Sequence, residues 1–364
     1  MKVAVIGASG FIGTRLIERF QLGGGPEAVA VVRKPSSLAL PARFAVETQL
    51  ADALDTDAMA RAISGCGAVI HTALGDPAQI ERMPAALCLA ANAAGVRRLV
   101  YLSSASVHGQ NPAPGTDETT PLNVHQALEY NTAKIRAELK FFAECERHGL
   151  IGFALRPGIV YGPRSRWIAD VATDLLEGRA WLYDGGRGIC NGIYVDNLVH
   201  AIECCLHATD DAAGVYLVGD GERTTWEQFY REAARKLDVP WSSVHQLAQL
   251  PAFQRSWQER AGRAVAHPFV QRLLPLVPHG LKRGAKAVMA AAAPVVPPDS
   301  WTLPAAPGPR ITQELALLQQ CAWQFPQTRA EQHLDYRPPV RFAEGLARSF
   351  AWWRFAQGEF SFAA

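Results

Sequence analysis

The sequence predicts an α/β chain built on a doubly wound parallel sheet, with a smaller, mostly helical C-terminal part. Three observations predict it. Apolar runs of strand length alternate with helix-period segments through the first half. A glycine-rich turn joins the first run to the first helix. After about residue 164 the alternation gives way to loops, prolines and helical pieces. Strands alternating with helices imply right-handed crossovers and helices on both faces of a sheet. In order, residues 2–6 read as a buried strand, 11–20 as a helix, 28–32 as a strand, 53–63 as a helix and 68–71 as a strand. Residues 84–94 form an alanine-rich helix closed by Gly95, and 98–103 a strand. A long helix lies within 122–148 and ends at Gly149, followed by a strand at 151–155. Beyond that, 167–176 reads as a helix, 193–195 as a strand, 197–207 as a helix, 215–218 as a strand returning to the sheet, and 342–355 as an aromatic-rich closing helix.

Length and composition set the outer bounds. At ~100–200 residues per domain, 364 residues suggest two domains, or one with a large elaboration. A 49% hydrophobic and 19% charged composition excludes disorder along most of the chain. With 36 basic against 34 acidic residues, net +2, there is no electrostatic footprint for nucleic acid. Seven cysteines, with no CxxC pair and no metal-ligand spacing, read as reduced thiols in a cytoplasmic protein. The histidines, His125 and His200 among them, show no metal-ligand spacing either, so no metal is expected. The first apolar run is too short for a secretory leader, and no run of about 18 apolar residues suggests a membrane span.

Gly7-Ala8-Ser9-Gly10-Phe11-Ile12-Gly13 is GxxGxxG between a strand and a helix. Glycines let the backbone turn sharply and approach a pyrophosphate, and the helix N-terminus offers free amides and the positive end of its dipole. A structural turn is the plain alternative; the strand–helix context favours a Rossmann-type dinucleotide site. At the end of the second strand stand Arg33 and Lys34. An acidic residue there would suit the NAD ribose, whereas an arginine suits a 2′-phosphate, so NADP(H) is favoured over NAD(H). A solvated charge pair is the bland reading. Asp52 could accept from the adenine amino group or cap a helix, although Asp55 fits the cap better.

Tyr130-Asn131-Thr132-Ala133-Lys134 places a phenol and an ammonium on one helix face. An ammonium near a phenol favours the phenolate and lowers its pKa, which would let the tyrosine exchange a proton near neutral pH. Such a pair alone is common on helix surfaces; downstream of a phosphate loop it gains weight. Ser103 and Ser104 end the strand at 98–103, where ligands bind in open α/β sheets, although serines after a strand can also be turn chemistry.

Together these residues resemble the extended branch of the short-chain dehydrogenase/reductase superfamily. The matching pieces are Gly7/Gly10/Gly13, the Ser103-Ser104 loop, Asp117-Glu118-x-x-Pro121, Tyr130/Lys134, the run from Arg156 through Pro157 to Pro163, and Tyr194-Val195-Asp196-Asn197. The resemblance implies Tyr130 as acid/base, Lys134 as its activator and Ser104 as the serine, with Ser103 the fallback. It implies cofactor contacts from Gly7, Ser9, Gly10, Phe11, Ile12, Gly13, Arg33, Asp52, Tyr130, Lys134 and Pro157. Substrate contacts fall to Ser104, His108, Arg164 and Arg187. The branch holds both NAD-dependent epimerases and dehydratases of nucleotide sugars and dehydrogenases. Ile159 and Cys190 stand where the sugar-nucleotide enzymes carry asparagine and arginine, with Arg187 near enough to substitute. The runs 194–201, 225–230 and 334–340 are similar to the 3β-hydroxysteroid dehydrogenase branch, which implies hydride transfer between nicotinamide and a secondary alcohol or ketone.

A nucleotide-sugar epimerase or dehydratase with bound NAD is the alternative, and a non-catalytic redox sensor a third reading that an intact Ser-Tyr-Lys set argues against. Residues 1–163, with 191–218 returning, are expected to form the cofactor domain. Residues 164–190 and 219–364 would form the substrate-binding part, including a Pro/Ala-rich insertion at 240–310. Within it, 268–298 reads as core packing, a lid or a membrane-surface contact. Trp167, Trp181 and Tyr183 read as core or cleft wall. The extended branch also implies a homodimer through two helices, one of them carrying Tyr130.

Overall fold

A computed structural model of the chain describes residues 1–253 and 308–358. In chain order its elements are β1 (Lys2–Ile6), α1 (Phe11–Leu22), β2 (Glu27–Val32), β3 (Glu47–Leu50), α2 (Thr56–Ala62), β4 (Ala68–His71), α3 (Pro77–Ala93), β5 (Arg98–Leu102), α4 (Glu129–His148), β6 (Ile151–Pro157), β7 (Ile159–Tyr161), α5 (Arg166–Leu176), β8 (Trp181–Tyr183), β9 (Gly192–Tyr194), α6 (Val195–His207), β10 (Gly214–Val218), α7 (Trp226–Lys236), β11 (His245–Leu247), α8 (Gln313–Gln319), α9 (Thr328–Leu334) and α10 (Phe342–Ala356).

Seven strands form one parallel sheet in the order β10-β6-β5-β4-β1-β2-β3. β1 pairs with β2 on one side (Val5 opposite Ala30) and with β4 on the other (Val5 opposite Ile70). The strand order reverses there, which is where an open α/β sheet opens a crevice at its carboxyl ends. Alternate residues of β1 feed two cores. Val3 and Val5 pack with Leu16, Ile17 and Phe20 of α1 on one face, while Ala4 and Ile6 join Met59, Ile63 and Leu87 on the other. Burial on both faces explains the unbroken apolar strands.

One expected element differs in its bounds. The helix foreseen from residue 84 begins at Pro77, because Asp76 and Gln79 form a capping box there and Ile80 and Met83 are buried; Pro84 lies inside the helix. The strand expected at 193–195 forms at Gly192–Tyr194. As β9 it pairs with β7 in a separate two-stranded parallel sheet. β10 does return, pairing with β6 at the sheet edge, and α6 shares the core on the α1 face.

Met1–Ala248 with Gly308–Ala364 form one unit, and Gln249–Pro307 a second. Nearly all of the second unit, including the 268–298 segment, lies outside the described residues. Among the described residues no helix is long and apolar enough to cross a membrane.

Candidate active site

The phosphate loop is shaped by close approach. Gly7 has φ +83°, and a Cβ there would meet the Ala73 backbone nitrogen at 2.8 Å. A Cβ on Gly13 would run into the Gly7 carbonyl, so α1 can lie this near the strand only with glycine. Gly10 caps α1 without a side-chain bond, and the first turn holds no acidic residue. The amides of that turn are thus left for an anion from outside, which fits a dinucleotide pyrophosphate. Phe11 and Ile12 line a cleft of about 940 Å³ that runs over the carboxyl ends of the central strands. Of the other cofactor residues expected from sequence, Pro157 lines this cleft and Arg33 is exposed at the end of β2. Asp52 accepts from the Leu54 amide at 2.9 Å and stays exposed, while Asp55 caps α2 by accepting from the Ala58 amide at 2.9 Å.

Ser104, Tyr130 and Lys134 meet on the wall of the same cleft. Ser104 follows β5 beside Tyr130, and its Oγ receives the Ser106 hydroxyl at 2.9 Å. Lys134, one turn beyond Tyr130 on α4, donates from Nζ to the Leu102 carbonyl at 2.8 Å, with Nζ 5.9 Å from the centre of the Tyr130 ring. The expectation that the lysine lowers the phenol's pKa is corrected for the chain by itself. Burial pushes Tyr130 up to about 12, against a smaller downward pull from Ser104. Burial likewise brings Lys134 down to about 8, opposed by the charge of Glu138. In a desolvated wall, loss of hydration outweighs an ammonium already engaged by a backbone carbonyl.

Sequence reasoning missed the buried network behind this wall. Glu138, two turns beyond Tyr130, accepts from Arg156 Nε at 3.0 Å and Nη2 at 2.5 Å, and from Ser103 Oγ at 2.5 Å. Both ion-pair partners are under 4% exposed. Both serines line the cleft, but the Ser103 hydroxyl is taken by Glu138, which leaves Ser104 as the serine beside Tyr130. His108, expected at the substrate, does not line the cleft. Arg156 Nη1 lies 2.9 Å from its Nε2 and donates to it, and burial with that charge brings His108 down to about 4. The i, i+4, i+8 series Tyr130, Lys134, Glu138 was the available signal, since it puts a carboxylate on the same face of α4 as the tyrosine and lysine.

At the far end of the cleft Val160, Trp167, Val171, Leu315, Leu318 and Phe325 make an apolar wall. Two of the three arginines lining the cleft are paired: Arg310 binds Asp174 at 2.9 Å and Arg166 binds Asp170 at 3.1 Å. Arg164 lines the cleft; Arg187 does not, being 79% exposed and paired with Asp184 at 3.3 Å. Trp181 is core, its indole donating to the Arg310 carbonyl at 2.9 Å. Among the described residues no cluster of His, Cys, Asp and Glu is placed to hold a metal.

His71, at the end of β4, is buried, and its Nε2 has no partner among the described residues. Burial brings it down to about 3 from 6.5, with Lys134 acting the same way. Between those values the unfolded chain binds a proton that the folded chain refuses, so stability falls as pH drops through that window. His108 adds to the trend; Asp220, raised by burial from 3.8 to about 6, opposes it over its own interval. Urea midpoints should drop less between about pH 7 and about pH 5 for His71→Asn than for wild type. An equal drop would remove His71 from this account.

A glycine turn at the reversal point of a parallel sheet, facing a tyrosine–lysine helix across one cleft, is the arrangement of the extended short-chain dehydrogenases/reductases. The chain belongs to the NAD dependent epimerase/dehydratase family, whose model matches residues 3–219. It is 34% identical over 258 residues to a 3-diazoavenalumate denitrifying reductase of a Streptomyces species, spanning 66% of this chain and 83% of that one. It is 29% identical over 271 residues to a 3 beta-hydroxysteroid dehydrogenase/Delta 5→4-isomerase of Mycobacterium tuberculosis, spanning 67% and 71%. A solved dTDP-glucose 4,6-dehydratase of Streptomyces venezuelae, with NAD and TYD bound, shares the fold at a TM-score of 0.67 and 21% identity over 99% of each chain.

Proposed function

We propose that this chain is a nicotinamide-dependent oxidoreductase acting on a secondary alcohol or ketone of a largely apolar substrate. The observation that carries the reading is the placement of Ser104, Tyr130 and Lys134 in the same cleft as Phe11, Ile12 and an apolar far wall. A bound nicotinamide supplies the hydride acceptor or donor. Ser104 holds the substrate oxygen, and Tyr130 gives it a proton or takes one from it. With its pKa pushed up to about 12, Tyr130 is in the acid form suited to donation in the reductive direction. Lys134 ties α4 to the end of β5 through the Leu102 carbonyl and lines the cleft, and its remaining donors would hold the nicotinamide ribose. Residues 1–163 with 191–218 serve as the cofactor half, and 164–190 with 219–364 as the substrate part.

This reading is preferred to a nucleotide-sugar epimerase or dehydratase because the far cleft arginines are paired with aspartates and Arg187 stands outside the cleft. The discriminating experiment is turnover of NADPH and NADH against a panel of cyclic apolar ketones and against UDP- and dTDP-glucose. Oxidation of reduced cofactor by an apolar ketone supports the proposal. Turnover of a nucleotide sugar with no net change in cofactor overturns it.

Arg33 and Lys34, with no acid at the end of β2, favour NADP(H) over NAD(H). Arg33→Asp should weaken NADPH binding about tenfold or more while sparing NADH, as loss of a charged hydrogen bond to phosphate would. Equal loss for both cofactors would sink the preference. α3 and α4 pack together, and each exposes a leucine, Leu89 and Leu139, at 44% and 54%. We assign that face to a homodimer contact.

A further inference from the structure

Gly162-Pro163-Arg164-Ser165 forms a tight turn. The Ser165 amide donates to the Gly162 carbonyl at 3.0 Å, proline takes the second position, and the third residue, Arg164, has φ +72°. Proline followed by a left-handed residue marks a type II turn, whose third position favours glycine or asparagine because a Cβ is strained there. An arginine in that place carries a backbone penalty. Its side chain must be what the position retains.

Nothing in the fold accounts for that side chain. Among the described residues Arg164 makes no hydrogen bond and no ion pair. Its charged neighbours are Arg43, a like charge, and Glu18, on the phosphate-loop helix α1. Glu18 already binds Arg15 at 2.7 Å, and Arg15 is held in turn by Asp196 at 2.5 Å. Half-burial and Arg43 together hold the Arg164 pKa below its ordinary value. A strained, half-buried guanidinium beside a second arginine is a site short of negative charge. It lines the same cleft as Phe11 and Ile12, where the first turn of α1 has no acceptor of its own.

We propose that Arg164 binds the pyrophosphate of the dinucleotide, and that it is a cofactor ligand rather than a substrate contact. The inference rests on the reading of this cleft as a dinucleotide site. Two other phosphates share the same chemistry, the cofactor's 2′-phosphate and a phosphate on the substrate, and the test separates them.

Calorimetric titration of NADH and NADPH into wild type, Arg164→Gln, Arg164→Lys and Arg164→Gly carries the test, with the melting temperature of each unliganded protein measured alongside. A pyrophosphate ligand predicts that Arg164→Gln weakens both cofactors by a similar factor, about 10- to 100-fold, with partial recovery in Arg164→Lys. Arg164→Gly should also relax the turn, raising the unliganded melting temperature by about 2 °C while affinity falls. A stabilised protein that binds less well is a result no purely structural role produces. Unchanged affinity in Arg164→Gln overturns the inference and leaves a substrate phosphate as the remaining partner. A loss confined to NADPH also overturns it, in favour of the 2′-phosphate. A wild-type chain that binds neither cofactor overturns the dinucleotide reading itself, and this inference with it.

Discussion

Replacing Tyr130 with phenylalanine is expected to reduce turnover by roughly 10²- to 10⁴-fold, the range for losing a positioned general acid or base, while the affinity for the dinucleotide holds. The substitution removes one hydroxyl and leaves the ring. Lys134 keeps its bond to Leu102, and the α1 N-terminus is untouched. What disappears is the proton at the oxygen that Ser104 also contacts. Single-turnover rates with NADPH, together with a binding titration, separate the two effects. Turnover within a few-fold of wild type would take the acid/base role away from Tyr130. Parallel loss of turnover and cofactor affinity would instead point to collapse of the wall.

Glu138→Gln carries the largest expected effect on stability. Glu138 and Arg156 form a two-point ion pair almost free of solvent, and the same carboxylate receives the Ser103 hydroxyl. Removing one charge strands the other in the interior. Breaking such a pair typically costs about 3–5 kcal/mol. An exposed pair offers the control: Arg231 and Glu227, 2.7 Å apart and about half exposed, should lose under about 1 kcal/mol in Glu227→Gln. Urea unfolding of the two variants checks the contrast, and equal losses would show that the buried pair contributes no more than a surface one. Because Glu138 bridges α4 to the ends of β5 and β6, the variant should also loosen the Ser104 loop.

Much of the fold was legible because its signals are local. Unbroken apolar runs at 2–6, 68–71 and 98–103 could only be strands buried on both faces. Gly7 and Gly13 announced a backbone that packs too closely for a side chain. The helix runs from Pro77, seven residues before the expected start, because the Asp76–Gln79 capping box sets its beginning. The partner of β9 was not legible, because a three-residue strand carries no pairing information of its own.

The chemistry divides along the same line. The sequence by itself determined the parallel sheet, the glycine turn and the shared helix face of Tyr130 and Lys134, because helix and strand periods fix which neighbours share a face; Ser104 joined them only through the family resemblance. Only the tertiary structure decided what those groups touch. It turned Ser103 to Glu138 and His108 to Arg156, residues 35 and 48 positions away in the chain. It bound Lys134 to a strand carbonyl instead of leaving it to the phenol, and left Arg164 without a partner among the described residues, on a strained turn. Partners so distant in sequence are chosen by strand order and by burial. Burial also sets the price of each charge, and no local spacing encodes it.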